Sequence, residues 1–263
     1  MSASKLSLTV TMPVARGDRG YLCRASVTPP TTVVATAEGL PNLRVGTRLT
    51  ADAGGFLVQG VTWLPGESGG PSTAMYLVEA VRGSGPGRLE CSIEREGYAM
   101  AWITLSDKGS RGQRVDESGP LVGALVSEQL VLNTVQGFVI PDEASQLKGL
   151  LVDLALNQGI DLILTTGGTG VGPRDITPEA TLAVIEKRLP GYERAMTAAS
   201  LVKTPHGAIS RAVAGTLGQA VIVNMPGSPK AVAECLAPLL PTFRHTLEKL
   251  QGDPSDCALL RKD

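Results

Sequence analysis

Up to about Glu96 the chain alternates apolar and polar positions in short runs. LSLTVTM, YLCRASV, TTVVATA, GFLVQGVTWL, TAMYLVEAV and RLECSIE are β-branched or repeat with period two, and the Gly- and Pro-rich clusters PNLRVG, ADAGG, PGESGGP and GSGPG separate them. Period-two runs between turn residues predict strands. Nothing before Gly97 has helical spacing of useful length, so residues 1–96 are expected to form a small all-β domain, a barrel or a sandwich. Strand-like runs flank Gly83–Gly87, so this cluster is expected to turn a hairpin rather than to link domains.

From Tyr98 the rhythm changes. Strand-like YAMAWITLS, QGFVIP, DLILTT and QAVIVNMP alternate with helix-length LVGALVSEQLVL, EASQLKGLLVDLALN, ATLAVIEKRL and KAVAECLAPLL. That alternation predicts an α/β domain over residues 97–252, a mostly parallel sheet with helices on both faces. DLILTT and AVIVNM lack period-two alternation, as strands buried on both faces do. Residues 253–263 form a polar tail.

Composition narrows the function classes. With 263 residues, the chain has the length of two domains, and 43% apolar residues suffice for proper cores. Charge is nearly balanced, 24 basic against 25 acidic residues, which argues against nucleic acid or a membrane surface as a partner. No apolar run approaches the roughly 20 residues of a membrane helix, and the N-terminal residues do not read as a signal peptide. Cys23, Cys91, Cys235 and Cys257 are scattered without a CxxC pair, so reduced thiols and a cytoplasmic location are expected.

Three strands of the second half run into a Gly-containing loop followed by Ser or Thr just before Pro: Ser118 ahead of Pro120, Thr177 ahead of Pro178, Ser228 ahead of Pro229. Each hydroxyl is expected to cap a helix whose first turn begins with Pro. In a parallel sheet these loops share the carboxyl edge, where ligands of such folds bind. Any one of them can be merely a well-made cap. Three together predict a site for a polyanion.

The candidate chemistry lies in those loops. Gly167-Gly168-Thr169-Gly170 follows a buried strand and allows an abrupt turn close to a ligand; its bland reading is a tight strand-to-loop turn. It is neither a Walker loop nor a dinucleotide fingerprint. Asp175 stands two residues before Thr177, and Asp142 ends another strand in VIPDE. Either carboxylate can serve only to stabilise a helix end. As a pair they can share Mg²⁺, which takes one or two carboxylates and completes its shell with phosphate oxygens and water. Lys108, Arg111, Arg114 and Lys230 are candidate phosphate contacts or plain surface cations. Asn224 either reads a ligand's polar edge or satisfies a loop carbonyl, and Ser210-Arg211 is a turn pair or part of the site. Of the two histidines, His206 follows Pro205 in a loop with no obvious catalytic partner, and His245 is expected on the solvated face of a helix, RHTLEKL. The absence of GxSxG and HExxH removes serine-hydrolase and zinc-protease readings.

Taken in order, ITLSDKGSRGQRVDESGP, VIPDE, DLILTTGGTGVGPRDITPEAT, AISRAVAG and VNMPGSPKAVAECLAPLLP resemble the molybdopterin adenylyltransferases of the Mog/MoaB family, to which the G domain of gephyrin is similar. The resemblance covers about Tyr98 to Gly252. It implies a three-layer αβα fold, commonly a homotrimer, and transfer of AMP from ATP to molybdopterin with Mg²⁺, releasing pyrophosphate. It also allows a molybdenum-insertion protein as partner. Residue by residue, it implies catalytic and metal-binding roles for Asp142 and Asp175. Substrate and nucleotide contacts are implied at Ser106, Asp107, Gly167, Gly168, Thr169, Gly170, Ser210, Asn224, Pro226, Gly227, Ser228 and Lys230. Ile176 stands where the family's RDVTP motif has Val. A molybdenum insertase, a pyrophosphatase relative and a non-catalytic pterin-binding scaffold are the competing readings.

Overall fold

A computed structural model describes residues 5–26, 32–66 and 70–254. Cys257 and all but the first two residues of the expected tail lie outside them, as does the middle of PGESGGP. The chain divides into two compact units, 1–99 with Leu132–Thr134, and Met100–Val131 with the residues from Val135 on.

The first unit holds β1 (Lys5–Val10), β2 (Arg19–Arg24), β3 (Val33–Ala37), β4 (Arg48–Ala51), β5 (Gly54–Leu64), β6 (Thr73–Arg82) and β7 (Gly87–Glu94). They close into a barrel in the order β1-β3-β2-β6-β5-β4-β7. Alternation explains the core: Leu6, Leu8 and Val10 of β1 point inward with Leu22, Leu49, Phe56, Val58 and Val78. Closure leaves no sheet edge unpaired. The Gly83–Gly87 cluster does not turn a hairpin: β6 pairs with β2 and β5, whereas β7 pairs with β1 and β4. Instead Ser84 and Val14 exchange backbone hydrogen bonds of 2.9 Å, which tie the cluster to the loop after β1.

The second unit contains a six-stranded sheet in the order β11-β12-β13-β10-β8-β9. Its strands are β8 (Tyr98–Leu105), β9 (Leu132–Ile140), β10 (Leu162–Thr166), β11 (Lys187–Arg188), β12 (Ala214–Leu217) and β13 (Ala220–Met225). The helices are α1 (Ser118–Ser127), α2 (Ala144–Val152, continued by a π-helical stretch Asp153–Gln158), α3 (Thr177–Leu182), α4 (Pro190–Lys203), α5 (Pro229–Leu236) and α6 (Leu240–Leu250). β10 pairs in parallel with β8 and β13, and all five of its residues are buried.

The sheet is mixed: β10 runs parallel to β8 and β13, as expected, whereas β12 pairs antiparallel with both β13 and β11. The cause is the tight turn at Gly218-Gln219, with φ +55° at Gly218, which folds β12 back onto β13. Part of ATLAVIEKRL also departs from expectation. Its helix stops at Leu182, and Glu186 N–H donates to the Thr216 carbonyl at 2.7 Å as the chain enters the sheet. Pairing with the sheet edge there overrides helical propensity. Among the described residues no helix is long and apolar enough to cross a membrane, and Cys23, Cys91 and Cys235 are buried free thiols.

Parallel pairing puts the ends of β8, β10 and β13 on one edge. Ser106 N–H donates to the Ile140 carbonyl at 2.9 Å, which brings the end of β9 there as well. From β8 the chain goes to β9 on one side and then to β10 on the other. Open α/β sheets bind ligands at such a reversal of strand order.

Candidate functional site

A cleft of about 260 Å³ opens at this edge. Ser106, Gly109, Arg114 and Asp116 of the loop after β8 line it, with Thr166 and Gly167 at the end of β10 and Gly227, Ser228 and Pro229 after β13. Hydroxyls knit these loops together. Ser118 donates to the Gly227 carbonyl (2.9 Å), Thr166 to the Pro226 carbonyl (2.9 Å) and Thr177 to the Gly167 carbonyl (2.9 Å). Gly167 N–H donates in turn to the Met225 carbonyl at 3.2 Å. The rim is set before any ligand arrives.

Those bonds correct two of the three expected caps. Ser118 and Thr177 spend their hydroxyls on carbonyls of neighbouring loops, and both lie within the first turn of their helices. Ser228 does cap α5, accepting from Ala231 N–H at 3.3 Å. At α1 the task falls to Asp116: its Oδ1 accepts from Ser118 N–H and Gly119 N–H (both 3.1 Å), and its Oδ2 from the Thr104 hydroxyl (2.8 Å). A carboxylate thus already occupies the anion position of that helix end. Sequence reasoning passed over Asp116, although an acidic residue just ahead of Ser-Gly-Pro is a capping signal.

Gly167 and Gly168 turn with φ +95° and +64°, a region that favours glycine. The two acidic residues flank this turn. A Cβ added at Gly168 would stand 3.5 Å from Asp142 Oδ1, and one added at Gly170 would stand 2.7 Å from Asp175 Oδ2. Asp142 Oδ2 accepts from Asp107 N–H (3.0 Å) and Asp175 Oδ2 from Gly172 N–H (2.7 Å). Among the described residues neither Oδ1 takes part in a hydrogen bond. Asp142 caps no helix, since α2 begins at Ala144 without a side-chain cap. Burial lifts its carboxyl above the ordinary aspartate range, and the charges of Asp107 and Asp175 add to this, while the Asp107 N–H and Arg174 oppose it. Asp107 is held low by its hydrogen bond from Arg174.

Arg211 braces the glycine turn from outside. It donates to the carbonyls of Gly170 (2.7 Å) and Asp175 (2.8 Å) and pairs with Glu179, while its own N–H reaches the Thr169 carbonyl at 2.9 Å. Thr169 is buried beneath the turn.

Other expected site residues lie apart. Asn224 is fully buried: its Nδ2 donates to the hydroxyls of Thr165 (3.0 Å) and Thr181 (2.9 Å), and its Oδ1 accepts from Val213 N–H (3.3 Å). Its amide is thus engaged on both sides by groups inside the protein. Asn224→Ala should cost about 2–4 kcal/mol of stability, because three buried partners lose their bonds. Denaturant unfolding measures this; an unchanged midpoint with lost ligand affinity would return Asn224 to the site. Ser210 and Pro226 line a separate cavity of about 10 Å³ with Met196 and Cys235, room for a water at most. Lys230, Lys108 and Arg111 are exposed and outside the cleft lining, whereas Arg114 is part of it. His206 sits in a short 3-10 turn and His245 in α6, both outside the cleft.

Comparison with known proteins covers the same part of the chain. Residues 101–245 match the family described as "Probable molybdopterin binding domain". The molybdopterin adenylyltransferase of Helicobacter pylori (strain ATCC 700392 / 26695) is 36% identical over 153 residues, 57% of this chain and 86% of that one. Gephyrin of Dictyostelium discoideum is 36% identical over 174 residues; the match takes in 63% of this chain but spans only 24% of gephyrin's length. Among solved structures, the molybdopterin biosynthesis enzyme MoaB of Thermus thermophilus aligns with a TM-score of 0.55 and 41% identity, covering 60% of this chain and 99% of that one. The chain belongs to the molybdopterin-binding domain family of molybdenum cofactor biosynthesis.

Proposed function

We propose that the chain is a molybdopterin adenylyltransferase: an oxygen of molybdopterin attacks the α-phosphorus of ATP, the bond to the β-phosphate breaks, and pyrophosphate leaves. The observation that carries the reading is the placement of Asp142 and Asp175 around the Gly167–Gly168 turn, beside a cleft that the ends of β8, β10 and β13 share. Gly167, Gly227 and Ser228 let backbone approach a polyanion closely, and Arg114 brings positive charge to the wall. Ser106 borders the same space, and Asp107 steadies Asp142.

The donor chemistry fits Mg²⁺. Two carboxylates each keep one oxygen without a hydrogen bond. A hard cation bound through one or two carboxylates takes its remaining ligands from phosphate and water. Asp142 and Asp175 would hold it, and when bound it neutralises charge on the reacting phosphates. The residues' own work is to hold the turn in shape and fix both carboxylates.

We extend the proposal to a three-layer αβα arrangement of the second unit, a homotrimer, a cytoplasmic site of action, and a molybdenum-insertion protein that takes the adenylylated product. Pyrophosphate release tests the activity. It should require molybdopterin, ATP and a divalent cation together, and it should stop on chelation. Tight pterin binding with release no faster than background would make the chain a binding module instead.

A further inference from the structure

Arg174 stands next to Asp175, and it spends all three guanidinium nitrogens on two other loops. Its Nε and Nη2 form a two-pronged pair with Asp107 Oδ2 (3.1 Å) and Oδ1 (2.8 Å), and its Nη1 reaches Glu143 Oε1 (2.9 Å). Asp107 and Asp142 are bonded to each other twice: Asp107 N–H donates to Asp142 Oδ2 (3.0 Å), and Asp142 N–H donates to Asp107 Oδ1 (3.3 Å). A chain of contacts therefore runs from Arg174 through Asp107 to Asp142. It joins the loops that follow β10, β8 and β9.

We propose that Arg174 is a positioning residue that holds the Asp142 carboxylate in place through Asp107; this rests on the adenylyl-transfer reading above. Asp107, Asp142 and Glu143 bring three acidic side chains to one spot, and like charges there repel. The fork of Arg174 neutralises two of them and fixes Asp107 in the orientation that presents its N–H to Asp142. Lysine offers a single point charge and cannot grip both oxygens of Asp107 while reaching Glu143. The Arg174 side chain is 54% exposed and its pairs lie at the surface, where such bonds contribute little to stability. Its purpose is geometry, and its replacement leaves the core untouched.

The test uses the full chain with Arg174→Met, Arg174→Lys, Asp107→Asn and the double variant Arg174→Met/Asp107→Asn. Pterin-dependent pyrophosphate release is measured together with hydrogen exchange of residues 104–112. Arg174→Met should lower kcat about 10–100-fold, as loss of an orienting partner does, with the KM for ATP little changed. Arg174→Lys should recover part of that loss. The double variant should be no worse than the poorer single one, because both substitutions break one chain of contacts. Exchange in 104–112 should quicken in Arg174→Met, while α5 exchanges as in the wild type. A raised KM at unchanged kcat would put Arg174 on the nucleotide and overturn the proposal, as would wild-type exchange in the loop. If wild type itself releases no pyrophosphate, the adenylyl-transfer reading fails, and the exchange result alone decides whether Arg174 holds Asp107 against Asp142.

Discussion

Asp175→Asn and Asp142→Asn should each abolish most turnover, by about 10²–10³-fold, because preorganised charge at a transferring phosphate is worth that much. Asparagine keeps the size of the side chain and an acceptor oxygen, so the bonds from Gly172 N–H and Asp107 N–H can persist. What disappears is a negative charge whose second oxygen is otherwise unused. Affinity for molybdopterin should change by no more than about threefold, since an interaction made in the transition state affects rate rather than ground-state binding.

Stability separates this account from simple damage to the fold. The Asp142 carboxyl titrates above its unfolded value, with burial as the main cause, so the folded state disfavours the ionised form. Without ligand, its contribution to stability is greatest below the unfolded pKa and falls as pH rises through the folded one. Asp142→Asn removes that cost and should melt no lower than wild type at neutral pH. A lower melting point together with equal losses in kcat and pterin affinity would mark Asp142 as structural.

Gly167→Ala carries the second large effect. At φ +95° an L side chain is strained, and the new Cβ would lie 2.6 Å from the Leu105 carbonyl oxygen. The turn cannot give way cheaply. Its N–H is bonded to the Met225 carbonyl, its own carbonyl to Thr177, and a Cβ on Gly227 would already stand 3.3 Å from its Cα. Strain and overpacking together should cost about 2–4 kcal/mol, a fall in Tm of roughly 5–15 °C for a domain of this size. Gly149→Ala in α2 supplies the opposite control: its Cβ meets nothing within 4 Å, so the helix should hold or gain stability. Calorimetry on both variants measures the contrast. Equal melting points would mean that the turn is softer than its geometry indicates.

The parts of this fold that announce themselves in the sequence are those whose signal is local. β10 and β13 are buried at every position because both their faces are covered, and the paired glycines after β10 advertise a turn. Ser228 ahead of Pro229 caps its helix as the spacing predicts. Elements held by distant partners were not legible in the same way. β4 is four residues long and has meaning only between β5 and β7. α4 buries Met196 and Ser200 and little else, so its apolar stripe is faint. Thr177 looks like a cap until the Gly167 carbonyl appears beside it, and Asn224 looks like a ligand reader until Thr181 and Val213 close around it. The same limit hid the link between Arg174 and Asp107, which lie 67 residues apart in sequence.

Adenylyl transfer is followed most directly through a label carried by ATP. Purified chain, molybdopterin and a divalent cation are incubated with ATP carrying ³²P at either the α or the γ position. Adenylyl transfer puts α-label in the pterin fraction, with one pyrophosphate released for each label transferred and none of the γ-label retained on pterin. Label reaching the pterin from the γ position, or ATP cleaved without any label on the pterin, would contradict it.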